Sequence, residues 1–131
     1  MINRKCLGIW MDHSNAILLE LTNDKIIRNI IVSEFTYEEN KYYYNKHEKL
    51  LNKKKQYQQS DYYKKLSDII RGFNEVILFG PTEAKIELLN LLETDHLFEN
   101  IKIDVLNSDK MTENQMHAFV RKYFDSPVHH K

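Results

Sequence analysis

The segment "VILFGPTEAKIELLNLL" (76–92) decides the fold class. With Glu75, its first part forms a short apolar run over 75–79 that predicts a buried strand. Gly80 and the Pro-Thr pair after it predict a turn, because these residue types favour tight backbone geometry. A strand, a turn and a helix in this order are typical of α/β domains, which often bind ligands at such a junction. Helical spacing of apolar residues predicts that helix over 82–93, with Ala84, Leu88, Leu91 and Leu92 on one face.

The sequence before this segment predicts three strands and a helix. Apolar stretches over 5–12, 16–22 and 25–35 are separated by short polar turns, which indicates an antiparallel meander. Apolar residues at helical spacing over 61–71 then predict the first helix.

The sequence after it predicts one more strand and a final helix. Residues 101–106 alternate as a strand does, and 111–124 form an amphipathic helix whose Thr112 and Gln115 match a capping box. The order is β-β-β-α-β-α-β-α, and right-handed crossovers make the last two strands parallel to the first. We therefore predict an α/β fold, a three-layer domain with a five-stranded mixed sheet. The order resembles that of the RNase H-like fold, whose usual strand order is 3-2-1-4-5.

Length and composition indicate one domain over 1–131, since the chain is long enough for a single core. Residues 36–59 show no period and are expected to form a mobile, basic and tyrosine-rich loop, and 125–131 a frayed tail. Cys6 is the one cysteine, so an internal disulfide is excluded. The sequence shows neither a signal peptide nor a membrane-spanning run, which indicates a cytoplasmic protein without a membrane partner.

Polar residues follow the three strands that are predicted to run in the same direction. Because the carboxyl ends of such strands meet at one edge of a sheet, these residues form a candidate strand-end site. The candidates are Asp12, His13, Thr82, Glu83, Asp109 and Lys110.

Two interpretations of this site stay open. Convergence of Asp12, Glu83 and Asp109 would indicate a metal-dependent nuclease of RNase H type, although the fourth strand ends at Phe79-Gly80 without an acid. Alternatively, Asp12 and His13 cap a hairpin and Glu83 lies at a helix N-terminus, where its charge is favourable. The histidines show no ligand spacing, so neither a metal nor a cofactor is expected.

A basic segment over 41–65 is the strongest local feature. It holds eight lysines against two acids, a charge of +6 in a chain whose net charge is zero. Lysine neutralises phosphate and tyrosine stacks on bases, so the segment favours RNA binding, with a solvated helix extension or linker as the alternative. The candidate RNA-binding residues are Lys46, Lys49, Lys53, Lys54, Lys55, Tyr57, Lys64 and Lys65.

Three stretches, "GIWMDHSNA" (8–16), 75–92 and "NSDKMTENQMHAFVRKYF" (107–124), resemble the small bacterial "translational machinery" proteins. These are similar to the central domain of the archaeal and eukaryotic peptide release factor and of Pelota. In the release factor, a Gly-Gly-Gln loop precedes the first long helix, whereas 41–60 here contains no glycine. The resemblance therefore implies a factor that is not an enzyme and does not hydrolyse peptidyl-tRNA.

By the same resemblance, the partner is the ribosome, through rRNA or tRNA, in rescue, hibernation or stress. Lys53, Lys54 and Lys55 would contact phosphates. A nuclease and a protein–protein adaptor remain the alternative functions.

Overall fold

The computed structural model describes residues 5–22, 25–33 and 60–125. The strands are β1 (Cys6–Met11), β2 (Asn15–Thr22), β3 (Lys25–Val32), β4 (Glu75–Gly80) and β5 (Lys102–Asn107). The helices are α1 (60–70), α2 (Ala84–Glu93) and α3 (Glu113–Asp125), and a short 3-10 turn at His96–Phe98 precedes β5. The predicted mobile loop 36–59, and the predicted tail apart from Asp125, lie outside the described residues.

The five strands form one mixed sheet in the order β3-β2-β1-β4-β5. The meander pairs β1 with β2 and β2 with β3 in antiparallel fashion, whereas β4 and β5 are added parallel to β1. Each parallel addition follows a helical connection, as right-handed crossovers require. The predicted α/β fold with a five-stranded mixed sheet and flanking helices is therefore confirmed, and so is the strand order 3-2-1-4-5.

Both faces of the central strands are buried, which makes three layers. All six residues of β1 and of β4 are buried. Leu7, Ile9 and Met11 pack into a core with α1 and α2. Cys6 and Trp10, on the other face of β1, pack into a second core beneath α3. The alternation follows from the two-residue period of a strand.

Two glycines allow close contacts that any larger residue would prevent. A Cβ atom on Gly8 would lie 2.4 Å from Cγ2 of Val120, so α3 packs directly on the backbone of β1. A Cβ atom on Gly80 would lie 2.1 Å from the carbonyl oxygen of Met11. Gly80 also has a φ of +150°, a conformation that L side chains rarely adopt. The turn after β4 therefore requires glycine.

The last two helices differ in how well the sequence predicted them. At α3 the capping box is confirmed, since Thr112 N donates to Gln115 Oε1 at 2.9 Å and Gln115 N to Thr112 Oγ1 at 3.2 Å. For α2 the predicted apolar face is not buried throughout, since Leu91 is 50% exposed. Lys85 takes a buried place instead and is 2% exposed. The helix is turned about its axis so that its Lys85 side, rather than its Leu91 side, meets the sheet.

Within 5–22, 25–33 and 60–125, the structure shows no helix that is both long and apolar enough to cross a membrane.

Candidate functional site at the strand-end edge

Three segments meet where β1, β4 and β5 end, and we call them the strand-end edge: residues 12–14, 80–83 and 107–110. The parallel register places Gly80 of β4 beside Asn107 of β5. Ser108 N then donates to the carbonyl oxygen of Gly80 at 3.2 Å, which holds the two strand ends together. The predicted strand-end residues therefore follow neighbouring strands on the same edge of the sheet.

Asp12 organises the turn between β1 and β2. Its Oδ1 accepts hydrogen bonds from the backbone N–H of Ser14, at 2.8 Å, and of Asn15, at 2.7 Å. Its own N–H donates to the carbonyl oxygen of Asn15 at 2.9 Å. A carboxylate that accepts two turn amides has the geometry of an Asx turn. The hairpin-capping interpretation therefore describes Asp12.

A polar network links this turn to α1 and α2. Tyr63 Oη donates to Glu87 Oε1 at 2.6 Å, and His13 Nε2 lies 3.1 Å from Glu87 Oε2. One residue earlier in α1, Tyr62 Oη donates to the carbonyl oxygen of Asp12 at 2.9 Å. Two adjacent tyrosines therefore fix the first turns of α1 against the strand-end edge.

Tyr62 and Tyr63 lie in the helix that apolar spacing predicted over 61–71, and Glu87 was not among the candidate site residues. A buried tyrosine normally finds a partner for its hydroxyl, and this was the signal available in the sequence. The identity of the partner was not readable, because Glu87 is 24 residues from Tyr63 and 74 from His13.

The network shifts the pKa values of its members. Burial, and then the nearby Asp12 charge, raise the pKa of Tyr62. Burial and the hydrogen bond to Glu87 raise the pKa of Tyr63 in the same way. Partial burial acts to raise the pKa of Glu87, but the hydrogen bonds from Tyr63 and His13 outweigh it and hold that pKa below its usual value. At neutral pH the network is therefore a carboxylate that accepts hydrogen bonds from two sides.

The loop between β4 and α2 is held by a buried lysine. Lys85 Nζ donates to the carbonyl oxygen of Thr82 at 2.5 Å, and Thr82 Oγ1 accepts from Ala84 N at 3.2 Å. Glu83 is exposed at the N-cap position of α2, without a side-chain capping hydrogen bond. Burial of an ammonium group is costly unless it is hydrogen-bonded, so the Lys85 contact restrains the shape of this loop.

A shallow crevice of about 310 Å³ lies between the ends of β4 and β5. Asp109 is exposed at its rim, next to Lys110. Ser108 Oγ is buried there and has no hydrogen-bond partner among the residues that the structure describes. The crevice is lined by Gly80, Pro81, Asn107, Ser108 and Asp109.

The three acids of the nuclease alternative have separate environments. Asp12 accepts turn amides, Glu83 occupies the N-cap position of α2 without a capping hydrogen bond from its side chain, and Asp109 borders the crevice. In the part of the chain that the structure describes, no group of three or more His, Cys, Asp or Glu side chains has the geometry to hold a metal ion. The convergence that a two-metal mechanism needs is thus not formed by these residues.

The strand-end edge is acidic rather than basic. Among its described side chains and those of α2 that meet it are four acids, Asp12, Glu83, Glu87 and Asp109. They face two lysines, of which Lys85 is buried and Lys110 is exposed. Such a charge balance repels phosphate, so this edge is a poor surface for a nucleic-acid backbone.

Two of the eight predicted RNA-binding residues are described, and both lie on α1. Lys64 is 3.5 Å from Asp68, and Lys65 is 3.3 Å from Asp61, as i,i+4 ion pairs at the surface. These two acids balance the two lysines, so α1 carries no net charge. The other six candidates lie outside the described residues: Lys46, Lys49, Lys53, Lys54, Lys55 and Tyr57.

No protein-family model matches the chain, and no curated protein matches its sequence. Solved structures do. The chain is similar to Archaeoglobus fulgidus Pelota, with a TM-score of 0.60 and 9% identity over 92% of this chain and 32% of that one. It is also similar to Thermoplasma acidophilum Pelota, with a TM-score of 0.58 and 12% identity over 96% of this chain and 33% of that one. For the archaeal translation termination factor aRF1, the TM-score is 0.50 and the identity 14%, over 94% of this chain and 39% of that one.

At identities this low, the likeness shows the fold. The chain spans about a third of the length of the two Pelota proteins and somewhat more of the termination factor. The resemblance expected from the sequence is therefore confirmed at the level of the fold, while membership of a bacterial family stays a prediction. The chain has the fold of one part of Pelota and of an archaeal translation termination factor.

Proposed function

We propose that this protein is a non-catalytic, translation-associated factor that binds the ribosome or tRNA. The observation that carries the proposal is the likeness of nearly the whole described fold to Pelota and to a translation termination factor. Fold alone does not define function, so the proposal rests also on the charge pattern of the chain. Rescue, hibernation and stress are the settings in which a ribosome-binding factor without its own chemistry would act, in the cytoplasm.

The basic segment 41–65, and not the strand-end edge, is the proposed RNA contact. Its charge of +6 stands in a chain whose net charge is zero, so the remaining residues carry −6. Phosphate neutralisation needs cations, which the acidic strand-end edge does not offer. Among the cations of the segment, Lys53, Lys54 and Lys55 are adjacent and are proposed to contact phosphates.

The absence of catalysis is proposed from the glycine content. The chain has three glycines, at 8, 72 and 80, so no Gly-Gly pair exists. Gly8 and Gly80 are explained by the close packing of β1 against α3 and by the turn after β4. A loop that depends on consecutive glycines for its backbone shape is therefore excluded.

Ribosome co-sedimentation tests the proposal. The wild type is compared with a Lys53/Lys54/Lys55→Ala variant and with a Lys5/Lys25/Lys122→Ala variant, which removes the same charge elsewhere. The wild type and the second variant should pellet with ribosomes, and the first variant should remain in the supernatant. In a companion titration with RNA, the loss of three phosphate contacts should lower the slope of log affinity against log salt by about 2 to 3.

Two outcomes contradict the proposal. If the wild type does not pellet at any salt concentration, the likeness to translation factors does not extend to ribosome binding. If both lysine variants lose binding equally, net charge rather than the basic segment is responsible. Cleavage of RNA that depends on magnesium and is lost in Asp12→Ala would instead support the nuclease alternative.

A further inference from the structure

The outer edge of β3 exposes an unusual amount of apolar surface. Ile27 is 50% exposed, Ile30 49% and Val32 53%. β3 is the last strand on its side of the sheet, and among the described residues no strand pairs with its outer side. Edge strands of soluble proteins are usually protected by proline, by charge or by covering elements. β3 is eight residues long and contains no proline.

Among the described residues, no strand pairs with the outward backbone groups of β3. Ser33 N donates to the carbonyl oxygen of Ser14, which directs the peptide groups of odd-numbered residues toward β2. Because the direction alternates along an antiparallel pair, the peptide groups of the even-numbered residues point outward. The four residues whose backbone N–H and C=O groups point outward are Ile26, Arg28, Ile30 and Val32.

The charges of β3 do not block pairing. Lys25, at one end, and Arg28 are its charged residues. Arg28 Nε lies 2.5 Å from Glu113 Oε1, at the first turn of α3, so part of its charge is offset on its own sheet face. Toward the edge, β3 is therefore an apolar strand whose outward N–H and C=O groups pair with no other strand in the part of the chain that the structure describes.

We propose that the edge of β3 binds the same edge of a second copy of this chain, in antiparallel fashion, and joins the two sheets into one. A two-fold axis perpendicular to the sheet makes such a contact isologous. It also keeps each face of one sheet continuous with the same face of the other, so odd residues pair with odd and even with even. Centred on Asn29, this places Ile27 opposite Ile31 of the second copy, and Ile26 opposite Val32.

Charge and apolar pairing together favour this register over its two neighbours. With Asn29 on the axis, Arg28 lies opposite Ile30 of the second copy, so cations are not paired. Because residues must keep their face, the next registers are centred on Arg28 or on Ile30. The first places two arginines opposite each other, which is destabilising. The second places Ile27 opposite Ser33 of the second copy instead of opposite Ile31, so Ile27 loses its apolar partner.

Self-pairing is also favoured over pairing with an unrelated basic or polar strand. Each exposed branched residue meets an apolar partner or the aliphatic part of Arg28, and cross-strand pairs of this kind stabilise a sheet. An acidic residue of a bound peptide could pair with Arg28. Glu113 of the same chain already forms that ion pair, so Arg28 gives an acidic peptide little advantage.

Cysteine cross-linking tests the register. Asn29 would face its own symmetry mate in a non-hydrogen-bonded pair, where the Cα atoms are about 4.5 Å apart, within disulfide range. Asn29→Cys should therefore form a covalent dimer under mild oxidation. The matched control is Ile27→Cys, which is on the same strand and face but four residues from its own mate. The native Cys6 is buried and contributes no cross-link of its own.

Sedimentation velocity over about 1 to 200 µM protein tests the association itself, since a dimer is concentration-dependent. Ile30→Lys places a cation opposite Arg28 of the second copy and should raise the dissociation constant by about tenfold or more. Ile30→Glu places an acid there and should retain the dimer. Leu97→Lys, an equally drastic change at a residue that is 58% exposed elsewhere, should leave it unchanged.

The outcomes separate clearly. A dimer that Ile30→Lys dissociates, with selective cross-linking of Asn29→Cys, supports the proposal. A wild-type monomer over the whole concentration range overturns it, and the edge would then be left for an extended segment of another protein. Equal cross-linking of both cysteine variants, or equal dissociation by Ile30→Lys and Leu97→Lys, also overturns it, because neither result depends on the β3 register.

Discussion

Replacement of Gly80 by alanine should destabilise the protein severely, although it adds one methyl group. The new Cβ would lie 2.1 Å from the carbonyl oxygen of Met11 and 3.2 Å from its carbonyl carbon. Met11 belongs to the central strand β1, whose backbone is paired on both sides. The contact therefore cannot be relieved by rotation of a side chain, and either β1 or the turn after β4 must move.

The magnitude follows from two contributions. A residue other than glycine at a φ of +150° carries backbone strain of about 1–3 kcal/mol. Overpacking of a close contact costs a further ~1–3 kcal/mol. Together they give a loss of about 2–6 kcal/mol, a large share of the roughly 5–15 kcal/mol by which native domains are stable.

Urea unfolding measures this loss, and the chain carries its own reporter. Trp10 is the single tryptophan and is buried, so its fluorescence follows the unfolding of the core. The matched control is Gly72→Ala, because a Cβ there meets only the carbonyl oxygen of Ile69, at an ordinary 3.5 Å. That control should retain wild-type stability or gain up to about 1 kcal/mol. A free energy of unfolding for Gly80→Ala within 1 kcal/mol of the control would refute the reasoning about this turn.

Three further predictions concern the core and the polar network. Gly8→Ala should cost about 1–3 kcal/mol through its overlap with Val120, and Val120→Ala in the same chain should recover part of it, so that urea unfolding shows non-additive free energies. The raised pKa of Tyr63 means that its neutral form is favoured in the folded state, so the stability it contributes is present below pH 10 and is lost as pH rises above that value. Tyr63→Phe should therefore flatten the fall of thermal stability at alkaline pH, and an unchanged profile would contradict the pairing with Glu87. The lowered pKa of Glu87 has the opposite sign: its contribution is present above the usual glutamate pKa and is lost as pH falls through the folded value. Glu87→Gln should weaken this acid dependence in melts between about pH 6 and 3, and an identical slope would contradict it.

Local patterns predicted most of the fold. Short turns between apolar stretches implied the meander, and right-handed crossovers then fixed the direction of β4 and β5. The capping box of α3 was readable because its two residues, Thr112 and Gln115, are three positions apart. Periodicity predicted the helix α2 but not its rotation about its own axis. Lys85 and Leu91 lie on either side of Leu88 on the helix surface, and only packing against the sheet determines which of the two is buried.

The candidate site was less readable than the fold. Residues that follow parallel strands could be assigned to one edge, and the structure places them there. The bonds that organise this edge, however, join residues far apart in sequence, such as His13 and Glu87. The ion pair of Arg28 with Glu113 is of the same kind. Such pairs depend on how the helices lie on the sheet, which no local pattern specifies.

The two proposals bear on each other through the position of Ser33. In the proposed dimer the pairing is antiparallel, so the two Ser33 residues lie at opposite ends of the joined strands, roughly 27 Å apart along them. Each leads into a chain that carries the basic segment 41–65, so one particle would carry two segments of +6. Two linked binding segments raise the apparent affinity for an RNA that reaches both, and they steepen its salt dependence. Ile30→Lys adds a cation to each chain and yet should bind RNA with a shallower salt dependence than the wild type. Added charge alone would act in the other direction, so a shallower dependence can come only from loss of the second copy.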